Sequence, residues 1–568
     1  MNNLELSKIF YDMADILEMK DIEWKPRAYR IAAQAIENLS EDVSEIYKKQ
    51  GLKGLKEIPG VGERIAEKIE EFLKTKHIKE YEKLKKSIPK HLTELMQVRG
   101  LGAKRAKLLY KKLKIKSIKE LEKAAKTHKI SKLPAFKEKT EENILQSIEL
   151  FKKSGSRALL GIAMPIANNI INELKKSKYI NKISVAGSLR RKLETIGDID
   201  ILVTSNKPEK VMDLFTNLND VQRILAKGST KSMVLLKNNM QADMRVIPDK
   251  SFGAALQYFT GNKEHNIKLR EIAIKKGLKL NEYGLFKKEK YIAGKTEEEI
   301  YKALGLRYME PELRENTGEI EASLKNKLPK LVTLQDIKGD LHMHTNVTDG
   351  NNTIEEMAKA AQNLGYEYIC ISDHSKSTYI AHGLKENQLL EHIKNIRKIQ
   401  KKFKIRIFTG SEVDILENGS LDYSDNILKK LDIVSVSVHS RFKMTQQEIT
   451  NRIIKALENK YVHILNHPTS RLINEREPLN LDLDKIFQVA AEKKKILEIN
   501  SFPDRLDLKD FHIKKAKEYG CKFSISTDSH TANNLRYMEL GVSQARRGWC
   551  EKQDIINALS LKEIEKLF

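Results

Sequence analysis

Nine side chains of metal-ligand type stand at or just after short apolar runs in the C-terminal half of the sequence. His342 and His344 form an H-x-H pair, and on a strand this spacing directs both imidazoles to one face, where they can bind one metal. Nitrogen and oxygen ligands without thiolate suit Zn²⁺ or Mn²⁺, and bound ions of this kind hydrolyse phosphoesters. One such histidine alone would more often be a hydrogen-bonded core residue. The set is His342, His344, Asp349, His374, Glu412, His439, His467, Asp528 and His530.

Three aspartates form a second group, in the middle of the sequence. Asp198 and Asp200 alternate along a predicted strand, so both point to one face. The strand-like run 241–248 could bring Asp243 beside them, and three close carboxylates repel one another unless cations neutralise them. They suit two Mg²⁺ or Mn²⁺ ions, which bind substrate phosphate and support nucleotidyl transfer. The residues predicted to hold the triphosphate are Gly187, Ser188 and Arg191.

Two glycine turns, at 58–62 and 98–102, each precede a helix rich in lysine and arginine. They resemble helix-hairpin-helix motifs. Glycine permits a tight turn and lets backbone N–H groups approach a phosphate, and basic side chains add contacts that do not depend on base sequence. The alternative is an ordinary helical hairpin with solvated lysines, but two copies favour DNA-backbone binding. The predicted contacts are Gly60, Gly62, Arg64, Gly100, Gly102, Lys104 and Arg105.

The predicted elements show what must position these side chains. Residues 1–155 follow helical spacing of apolar residues, and residues 316–335 have the composition of a linker. After residue 336, seven apolar runs alternate with helical patterns, which predicts parallel strands with helical crossovers and favours a barrel. Those runs are 339–342, 368–372, 406–410, 433–438, 462–465, 496–499 and 523–526. Shorter β-rich runs precede them at 182–186, 200–204, 233–236 and 241–248.

The charge of the chain is distributed unevenly between its two halves. The 568 residues carry a net charge of +25, of which residues 1–330 contribute +22 and residues 331–568 contribute +3. The first part is therefore expected to meet a polyanion, whereas the second has the balance of an ordinary soluble enzyme. At about 150 residues per domain, the length predicts three to four domains, and the 40% hydrophobic content excludes a disordered chain.

Other protein classes are excluded by what the sequence lacks. No apolar run approaches the ~18–20 residues of a membrane span, and the N-terminal segment has no secretory hydrophobic region. Cys370, Cys521 and Cys550 show no CxxC spacing. This excludes a disulfide framework and a cysteine-based zinc finger, and it fits the reducing cytoplasm.

The motif G-S-x-R-R followed by G-D-x-D, with the two glycine turns before it, resembles family X DNA polymerases of the nucleotidyltransferase superfamily. The resemblance covers about residues 1–315. It implies a helical lyase-like domain at 1–85, fingers at 86–155, an α/β palm at 156–257 and a thumb at 258–315, followed by the linker at 316–335 and a further domain at 336–568. It also implies that Asp198, Asp200 and Asp243 catalyse nucleotide addition.

The same resemblance assigns further contacts to nucleotide and template. Tyr258, Phe259 and Gly261 match the segment that packs against the sugar and disfavours a ribose 2′-hydroxyl. Lys263 belongs to the same nucleotide-binding region. Asn266 falls where the family contacts the minor-groove edge of the base. Arg270 falls where the family contacts the template.

The family's N-terminal domain can also act as a 5′-deoxyribose phosphate lyase through a Schiff-base lysine. Lys68 matches that nucleophile, and Lys25 and Tyr29 match supporting positions in the DNA-binding lyase domain. Burial or a neighbouring cation would have to lower the pKa of Lys68 before its amine could attack. The alternative, equally compatible with the sequence, is a helix lysine that contacts phosphate.

The nine ligand positions resemble the PHP (polymerase and histidinol phosphatase) domain across residues 336–568. That family has a distorted seven-stranded (β/α) barrel with a trinuclear metal site. Arg441 and Arg505 follow strand ends, where each could bind the substrate phosphate or lie at the surface. The implied partition is His342, His344, Glu412 and Asp528 on one metal, Glu412, His439 and His467 on the second, and Asp349, His374 and His530 on the third.

Together the two modules resemble the bacterial and archaeal PolX family. The resemblance implies a monomeric, cytoplasmic repair polymerase that uses dNTPs on gapped, nicked or primer-template DNA. Its PHP domain would be a metal-dependent 3′-5′ exonuclease, with 3′-phosphatase or abasic-site endonuclease activity as further options. Two alternatives remain: a small-molecule phosphatase of histidinol-phosphate type with a DNA-binding appendage, and a non-catalytic scaffold for DNA ends.

Overall fold

The chain forms two compact units. The first groups Met1–Gly155 with Asn474–Glu477 and Thr531–Asn533, and the second contains the remaining residues. The computed structural model describes residues 2–20, 22–37, 39, 42–75, 77–86, 95, 98, 101–134, 136–138, 140–142, 144, 145, 147, 148 and 157–568.

The first unit is helical, as its sequence pattern predicts. Its helices with described bounds are α1 (Asn2–Met19), α2 (Lys25–Glu37), α3 (Val43–Lys56), α4 (Glu63–Thr75), α5 (Lys79–Lys86), α6 (Ala103–Leu113) and α7 (Ile118–Lys126). On α4, Ile65, Ala66, Ile69 and Phe72 recur at three- and four-residue intervals and are all buried. This apolar stripe packs into the core of the unit, while the basic and acidic residues of α4 face solvent.

The second unit begins with an α/β region. Its elements are β1 (Ala158–Leu159), α8 (Leu160–Lys175), β2 (Lys182–Val185), α9 (Gly187–Arg190), β3 (Thr195–Ile196), β4 (Asp198–Thr204), α10 (Pro208–Thr216), β5 (Val221–Lys227), β6 (Lys231–Leu236) and β7 (Gln241–Ile247). Five strands form a sheet with the order β2-β4-β7-β6-β5, in which β4 and β7 are parallel. The four predicted β-rich runs are strands here. The sequence pattern does not predict β5, because six of its seven side chains are exposed.

A smaller helical and antiparallel region follows the five-stranded sheet. It contains α11 (Phe252–Thr260), α12 (Lys263–Lys275), β8 (Lys279–Asn281), β9 (Gly284–Lys287), β10 (Lys290–Ala293) and α13 (Glu297–Ala303). The three strands form a sheet with the order β10-β9-β8. Leu269, Leu285, Ile300 and Tyr301 share its buried core.

Residues 316–335, expected to form a linker, are packed against their neighbours. They contain α14 (Glu319–Leu324), whose Ile320 is buried. Val332 is fully buried, and its backbone N–H donates to the carbonyl of Cys550 at 3.0 Å. The composition of the segment does not reveal this packing, because its few apolar side chains are widely spaced. That it joins two domains as a linker stays a prediction.

The rest of the second unit is a barrel of seven parallel strands. The strands are β11 (Gly339–Met343), β12 (Tyr368–Ile371), β13 (Arg406–Asp414), β14 (Ile433–Ser437), β15 (Ile464–Leu465), β16 (Ile496–Asn500) and β17 (Lys522–Ser526). Their order in the sheet is their order in the chain. The helices are α15 (Ile354–Asn363), α16 (Glu386–Gln400), α17 (Asp425–Leu428), α18 (Gln446–Leu457), α19 (Leu483–Glu492), α20 (Asp510–Glu518), α21 (Met538–Arg547) and α22 (Leu561–Ile564). The prediction of seven parallel strands with helical crossovers is confirmed.

A side chain from the C-terminal segment links the first and last strands of the barrel. Near their C-terminal ends the backbone N–H of His344 donates to the carbonyl of Ser529 at 2.8 Å. Farther down, the Asn557 amide donates to the carbonyls of Gly339 at 2.8 Å and Ile525 at 2.7 Å, and it accepts the Ile525 N–H at 3.0 Å. Asn557 thereby satisfies backbone groups of β11 and β17 that a closed ladder would otherwise pair.

All three cysteines are buried and free, which agrees with the spacing analysis. Within the described ranges, no helix combines the length and apolar character that crossing a bilayer requires.

Candidate active sites

The structure brings the three predicted aspartates together on neighbouring strands. Parallel pairing of β4 with β7 puts Asp200 directly beside Asp243 and Asp198 beside Gln241. The three carboxylates therefore share one face of the sheet, while Ile199 is buried on the other. Gln241 donates its Nε2 to the Asp243 Oδ1 at 2.8 Å, which fixes one oxygen of that carboxylate.

The electrostatic environment of Asp200 would be stabilised by a bound cation. Burial and, next, the charges of Asp198 and Asp243 raise the pKa of Asp200 to about 7, although two nearby arginines offset part of the effect. Gly187 has a φ of +59°, and a Cβ there would lie 2.2 Å from the Asp200 Oδ2, so only glycine fits beside this carboxylate. Three carboxylates with this charge density fit Mg²⁺ or Mn²⁺.

Arg191, predicted to hold the triphosphate, is fixed near the triad. Its Nε donates to the Glu315 Oε1 at 2.8 Å and its Nη1 donates to the carbonyl of Thr260. Gly261 has a φ of +71°, and a Cβ there would approach that Nη1 to 3.2 Å. Ser188 stands in α9, the single helical turn that follows β2. The Arg191 charge lowers the pKa of Asp200, which places the guanidinium within electrostatic reach of the triad.

The sugar, base and template residues implied by the family resemblance lie on α11, on α12 and at their junction. The rings of Tyr258 and Phe259 pack edge to face with centroids 5.1 Å apart. Asn266 donates its Nδ2 to the carbonyl of Tyr258 at 2.7 Å, which ties the two helices together. Lys263 and Arg270 are exposed. Their contacts with nucleotide and template stay predictions.

The nine predicted ligands of the barrel converge at the C-terminal ends of its strands. Ligand atoms that lie within 4.8 Å of one another form three groups: His344, Asp349, His374 and His530; His342, His344 and Asp528; and His374, Glu412 and His439. His467 joins the cluster through its Nε2, 2.9 Å from the Glu412 Oε1. The groups differ from the implied partition: His344 and His374 each belong to two groups, Glu412 is not grouped with His342, and His467 is in no group. The partition among three metals stays a prediction.

The donor atoms of this cluster fit bound metals. The Nε2 atoms of His342 and His344 are 3.0 Å apart, and the Asp528 Oδ1 is 3.2 Å from the latter. In the described part of the chain, the buried Nδ1 atoms of His344 and His374 have no hydrogen-bond partner. Each nitrogen faces a carboxylate: the Asp349 Oδ1 lies 3.8 Å from the His344 Nδ1, and the Glu412 Oε2 lies 3.1 Å from the His374 Nδ1. Buried nitrogens that face carboxylates without a hydrogen bond fit a metal bound between them. Six imidazoles and three carboxylates suit Zn²⁺ or Mn²⁺.

The histidines of the barrel cluster differ in their pKa values. Burial, reinforced by neighbouring cationic groups, lowers the pKa of His344 to about 4 and of His467 to about 3. Burial alone would raise the pKa of Glu412, but the surrounding histidines hold it well below its usual range. Burial opposes the charged forms of His342, His374 and His530 as well, but nearby carboxylates outweigh it and raise their pKa values, that of His530 to about 9. Neutral imidazole and ionised carboxylate are the forms that bind metals, so these three rings must release protons when a metal binds.

Two buried carboxylates that sequence reasoning missed hold ligand rings in place. The Glu498 Oε1 lies 2.7 Å from the His342 Nδ1, and its Oε2 accepts the backbone N–H of His467 at 2.6 Å. The Asp414 Oδ1 lies 3.1 Å from the His439 Nδ1. Such partners fix the ring orientation and tautomer of a ligand. The signal was present in the sequence for Asp414, which lies two residues after Glu412 on β13 and so shares its face.

The two candidate phosphate-binding arginines differ in their surroundings. The Arg505 Nε lies 3.2 Å from the Asp528 Oδ2, with the side chain 19% exposed. Its buried Nη1 has no hydrogen-bond partner among the described residues. Arg441 is 66% exposed and pairs with Glu417 at 3.0 Å. The structure therefore places Arg505, and not Arg441, against the ligand cluster.

In the first unit, Lys68 is engaged by a carboxylate. Its Nζ lies 2.9 Å from the Glu80 Oε2, and Tyr29 is close enough to add to the interaction. Burial opposes the ammonium form, but these partners outweigh it and raise the pKa of Lys68. The lowered pKa that a Schiff-base nucleophile needs is absent in this conformation. Lys25, the first residue of α2, is exposed.

The glycine turns have the predicted local form where they are described. Gly60, between α3 and α4, has a φ of +78°, and a Cβ there would lie 2.4 Å from Ile31. Gly62 and the exposed Arg64 stand at the start of α4. Gly102 precedes α6, which carries the exposed Lys104. Arg105 on the same helix is half-buried, and its guanidinium lies 5.7 Å from the centre of the Phe136 ring. Gly100 lies outside the described residues.

Most of the chain matches domain families that are already known. Residues 1–78 match a helix-hairpin-helix domain, residues 92–149 a SAM-like helix-hairpin-helix tandem, residues 255–315 a DNA polymerase beta thumb and residues 340–502 a PHP domain. These matches and the seven-stranded barrel confirm the predicted fold class: a helix-hairpin-helix N-terminal region, an α/β polymerase region and a C-terminal PHP barrel.

Two kinds of relative are similar to the chain. Probable phosphatases of Thermoanaerobacter sp. (strain X514) and Acetivibrio thermocellus are 31% and 32% identical over 38% and 34% of this chain, covering 89% and 78% of their own lengths. The DNA polymerase/3′-5′ exonuclease PolX of Bacillus subtilis (strain 168) is 36% identical over 574 residues, which cover 100% of this chain and 99% of that protein. The chain therefore belongs to the PolX family of DNA polymerases/3′-5′ exonucleases.

Proposed function

We propose that the chain is a DNA-directed DNA polymerase that fills short gaps in base excision repair, and that its barrel is a metal-dependent 3′-5′ exonuclease. One observation carries the proposal: a single compact unit holds an aspartate triad beside Arg191 and, separately, a nine-ligand cluster of which six residues are buried. Bound divalent metals at the two sites supply positive charge to the reacting phosphate and lower the cost of forming the attacking oxyanion.

In synthesis, the triad binds the cations and Arg191 positions the triphosphate. Asp198, Asp200 and Asp243 bind the cations, and Asp200 must lose its proton to do so because its pKa is about 7. Arg191 binds the triphosphate with a guanidinium already oriented by two partners. The Tyr258–Phe259 segment packs against the sugar of the incoming nucleotide.

In hydrolysis, the ligand rings are oriented before substrate arrives. Glu498 and Asp414 hold His342 and His439, so these imidazoles need no rearrangement. Arg505 offers its unpaired buried Nη1 to the phosphate of the scissile nucleotide. A preformed site of this kind hydrolyses a phosphodiester at a DNA 3′ end.

DNA affinity comes mainly from the polymerase half. The +22 charge of residues 1–330 and the basic residues after the glycine turns bind duplex backbone, so gapped, nicked and primer-template DNA are the partners and dNTPs the substrates. The protein acts as a monomer in the cytoplasm. A lyase reaction would require Lys68 to separate from Glu80 first. The 3′-phosphatase and abasic-site endonuclease activities are further reactions open to the barrel site.

A small-molecule phosphatase is the second candidate, because the probable phosphatases match the barrel part of the chain. The phosphatase hypothesis does not explain the triad, in which Asp200 and Asp243 lie side by side on paired strands. A non-catalytic DNA-end scaffold likewise leaves both sets of site residues unexplained.

A labelled gapped duplex tests the proposal and separates the candidates. The Asp198→Ala variant should lose gap filling by about 1,000-fold or more and keep 3′ degradation, because a metal ligand of the triad is lost. The His344→Ala variant should do the reverse. If the His344→Ala variant still degrades the 3′ end, the assignment of the nuclease to the barrel is contradicted. If the Asp198→Ala variant still extends the primer, the assignment of the polymerase site to the triad is contradicted.

A further inference from the structure

The barrel contacts the polymerase region through the last turn of α21, which carries Arg546 and Arg547. Leu540, on the same helix, is buried in one core with the five-stranded sheet, so the helix is seated firmly between the two parts of the second unit. Both arginines are mostly buried: their side chains are 16% and 6% exposed. Each forms ion pairs with the segment that follows α13, but with different residues.

Arg547 reaches both the backbone and the side-chain partner of Arg191. Its Nη1 donates to the carbonyl of Arg191 at 3.0 Å and lies 3.2 Å from the Glu315 Oε1. Its Nη2 pairs with Asp510 of α20, so the arginine is anchored within the barrel. A buried guanidinium held at three points is a rigid support.

Glu315 is the shared partner in this network. Its Oε1 accepts from the Arg191 Nε at 2.8 Å and from Arg547, and its Oε2 accepts from the Asn262 Nδ2 at 3.0 Å. Arg191 uses its Nε and Nη1 in these contacts, and its Nη2 has no hydrogen bond with any residue that the structure describes. The network therefore fixes the guanidinium while leaving donors for an anion.

We propose that Arg547 is a positioning residue of the polymerase site: from the barrel, it holds Arg191 in place for the triphosphate, directly through the Arg191 carbonyl and indirectly through Glu315. The proposal rests on the proposed role of Arg191. It means that the barrel contributes to synthesis through a contact that is separate from its ligand cluster. Arg547 itself touches neither the triad nor the metal ligands.

Steady-state kinetics of the full-length protein on gapped DNA tests this role. Arg547→Gln should raise the KM for dNTP about 10-fold, the loss expected for a charge-assisted contact, and leave kcat within about two-fold. Degradation of a single-stranded 3′ end should not change. The double variant Arg547→Gln, Glu315→Gln should raise KM by less than the product of the two single effects, because the changes share the contact through Glu315, and by more than Glu315→Gln alone, because the contact with the Arg191 carbonyl is also lost.

Arg546→Gln is the matched control. Arg546 lies on the same turn and pairs with Glu312 at 2.8 Å and the carbonyl of Val332 at 3.1 Å. It has no recorded contact with Arg191 or Glu315 in the described chain. Its KM for dNTP should stay within about two-fold of the parent value. Equal KM changes in the two variants would mean general loosening of the barrel contact and would overturn the proposal.

Two further measurements keep the outcome unambiguous. Arg547→Lys keeps a cation near Glu315 but cannot make all three contacts of the guanidinium, so it should give an intermediate KM. An unchanged KM in both Arg547 variants overturns the proposal. Arg191→Gln reports on the underlying function: if this variant binds dNTP normally, the nucleotide role of Arg191 fails, whatever Arg547 does.

Discussion

The two candidate metal sites of this chain differ in their ligands, in their exposure and therefore in the repulsion between their carboxylates. The triad consists of three carboxylates on two strands, and its Asp198 is exposed. The nine ligands of the barrel cluster lie on six of the seven strands or just after them. Six of the nine are imidazoles, which carry no negative charge, so the cluster is less anionic than the triad. His342, His344, Glu412 and His467 are each no more than 1% exposed. One site is open and strongly anionic, whereas the other is enclosed and balanced.

This difference predicts when each site acquires its metal. An open carboxylate site suits a hard ion that keeps water and arrives with substrate phosphate. An enclosed imidazole site whose rings are already oriented suits a resident ion that becomes part of the folded structure. The barrel metals should therefore stabilise the fold, while the metals of the triad should mainly serve the reaction.

Metal removal should show the largest difference between the sites. Chelation should lower the thermal unfolding midpoint of the barrel by about 10 °C, because a resident ion at 1,000 times its Kd contributes about 4 kcal/mol. The Asp198→Ala variant should respond like the parent, and Glu412→Gln should respond little, since Glu412 belongs to the cluster. Scanning calorimetry with and without added Zn²⁺ or Mn²⁺ checks this. An equal shift in Glu412→Gln would show that the stabilising ions lie elsewhere.

Loss of an orienting carboxylate should have the next largest effect. Glu498→Gln should lower exonuclease activity and metal affinity by about 10- to 100-fold, because the His342 ring loses its fixed partner. Gap filling should be unchanged, since Glu498 belongs to the barrel. Metal titration followed by 3′ degradation measures both quantities. Glu492→Gln, on the surface of α19, is the matched control. Unaltered metal affinity in Glu498→Gln would contradict the assigned role.

The pH dependence of stability should also differ between the two sites, with the effect at the triad. Folding raises the pKa of Asp200 from 3.8 to about 7, so the folded state binds more protons between these values and its stability falls as pH rises. Without Mg²⁺, Asp200→Asn should therefore be more stable than the parent at pH 8, by at most about 4 kcal/mol, and nearly equal to it at pH 4. Thermal unfolding at both pH values measures the difference. A gain of equal size at pH 4 would contradict the repulsion within the triad.

Much of the barrel could be predicted from sequence because its strands are buried on both faces. Such strands appear as continuous apolar runs, and the nine ligands follow them at positions that the fold must bring together. The triad was predictable for a related reason: D-x-D spacing on a strand fixes a common face, and its partner strand holds Asp243.

The parts that escaped prediction depend on contacts distant in sequence. Glu498 looks like an ordinary strand residue until the fold sets it beside His342, 156 positions away. The contact of Arg547 with Arg191 joins residues 356 positions apart, and neither local pattern points to the other. The segment 316–335 has too few apolar residues to reveal its packing. β5 lacks the apolar alternation that marks a half-buried strand.

The amide of Asn557 has a consequence for how the barrel is made during translation. The strands emerge from the ribosome in their spatial order, so each can pair with its predecessor as synthesis proceeds. Backbone groups at the outer sides of β11 and β17 gain their amide partner only after residue 557 has emerged. Until then a nascent barrel exposes two open edges to other nascent chains. We therefore expect the Asn557 side chain to shorten the period in which these strand edges can pair with other nascent chains.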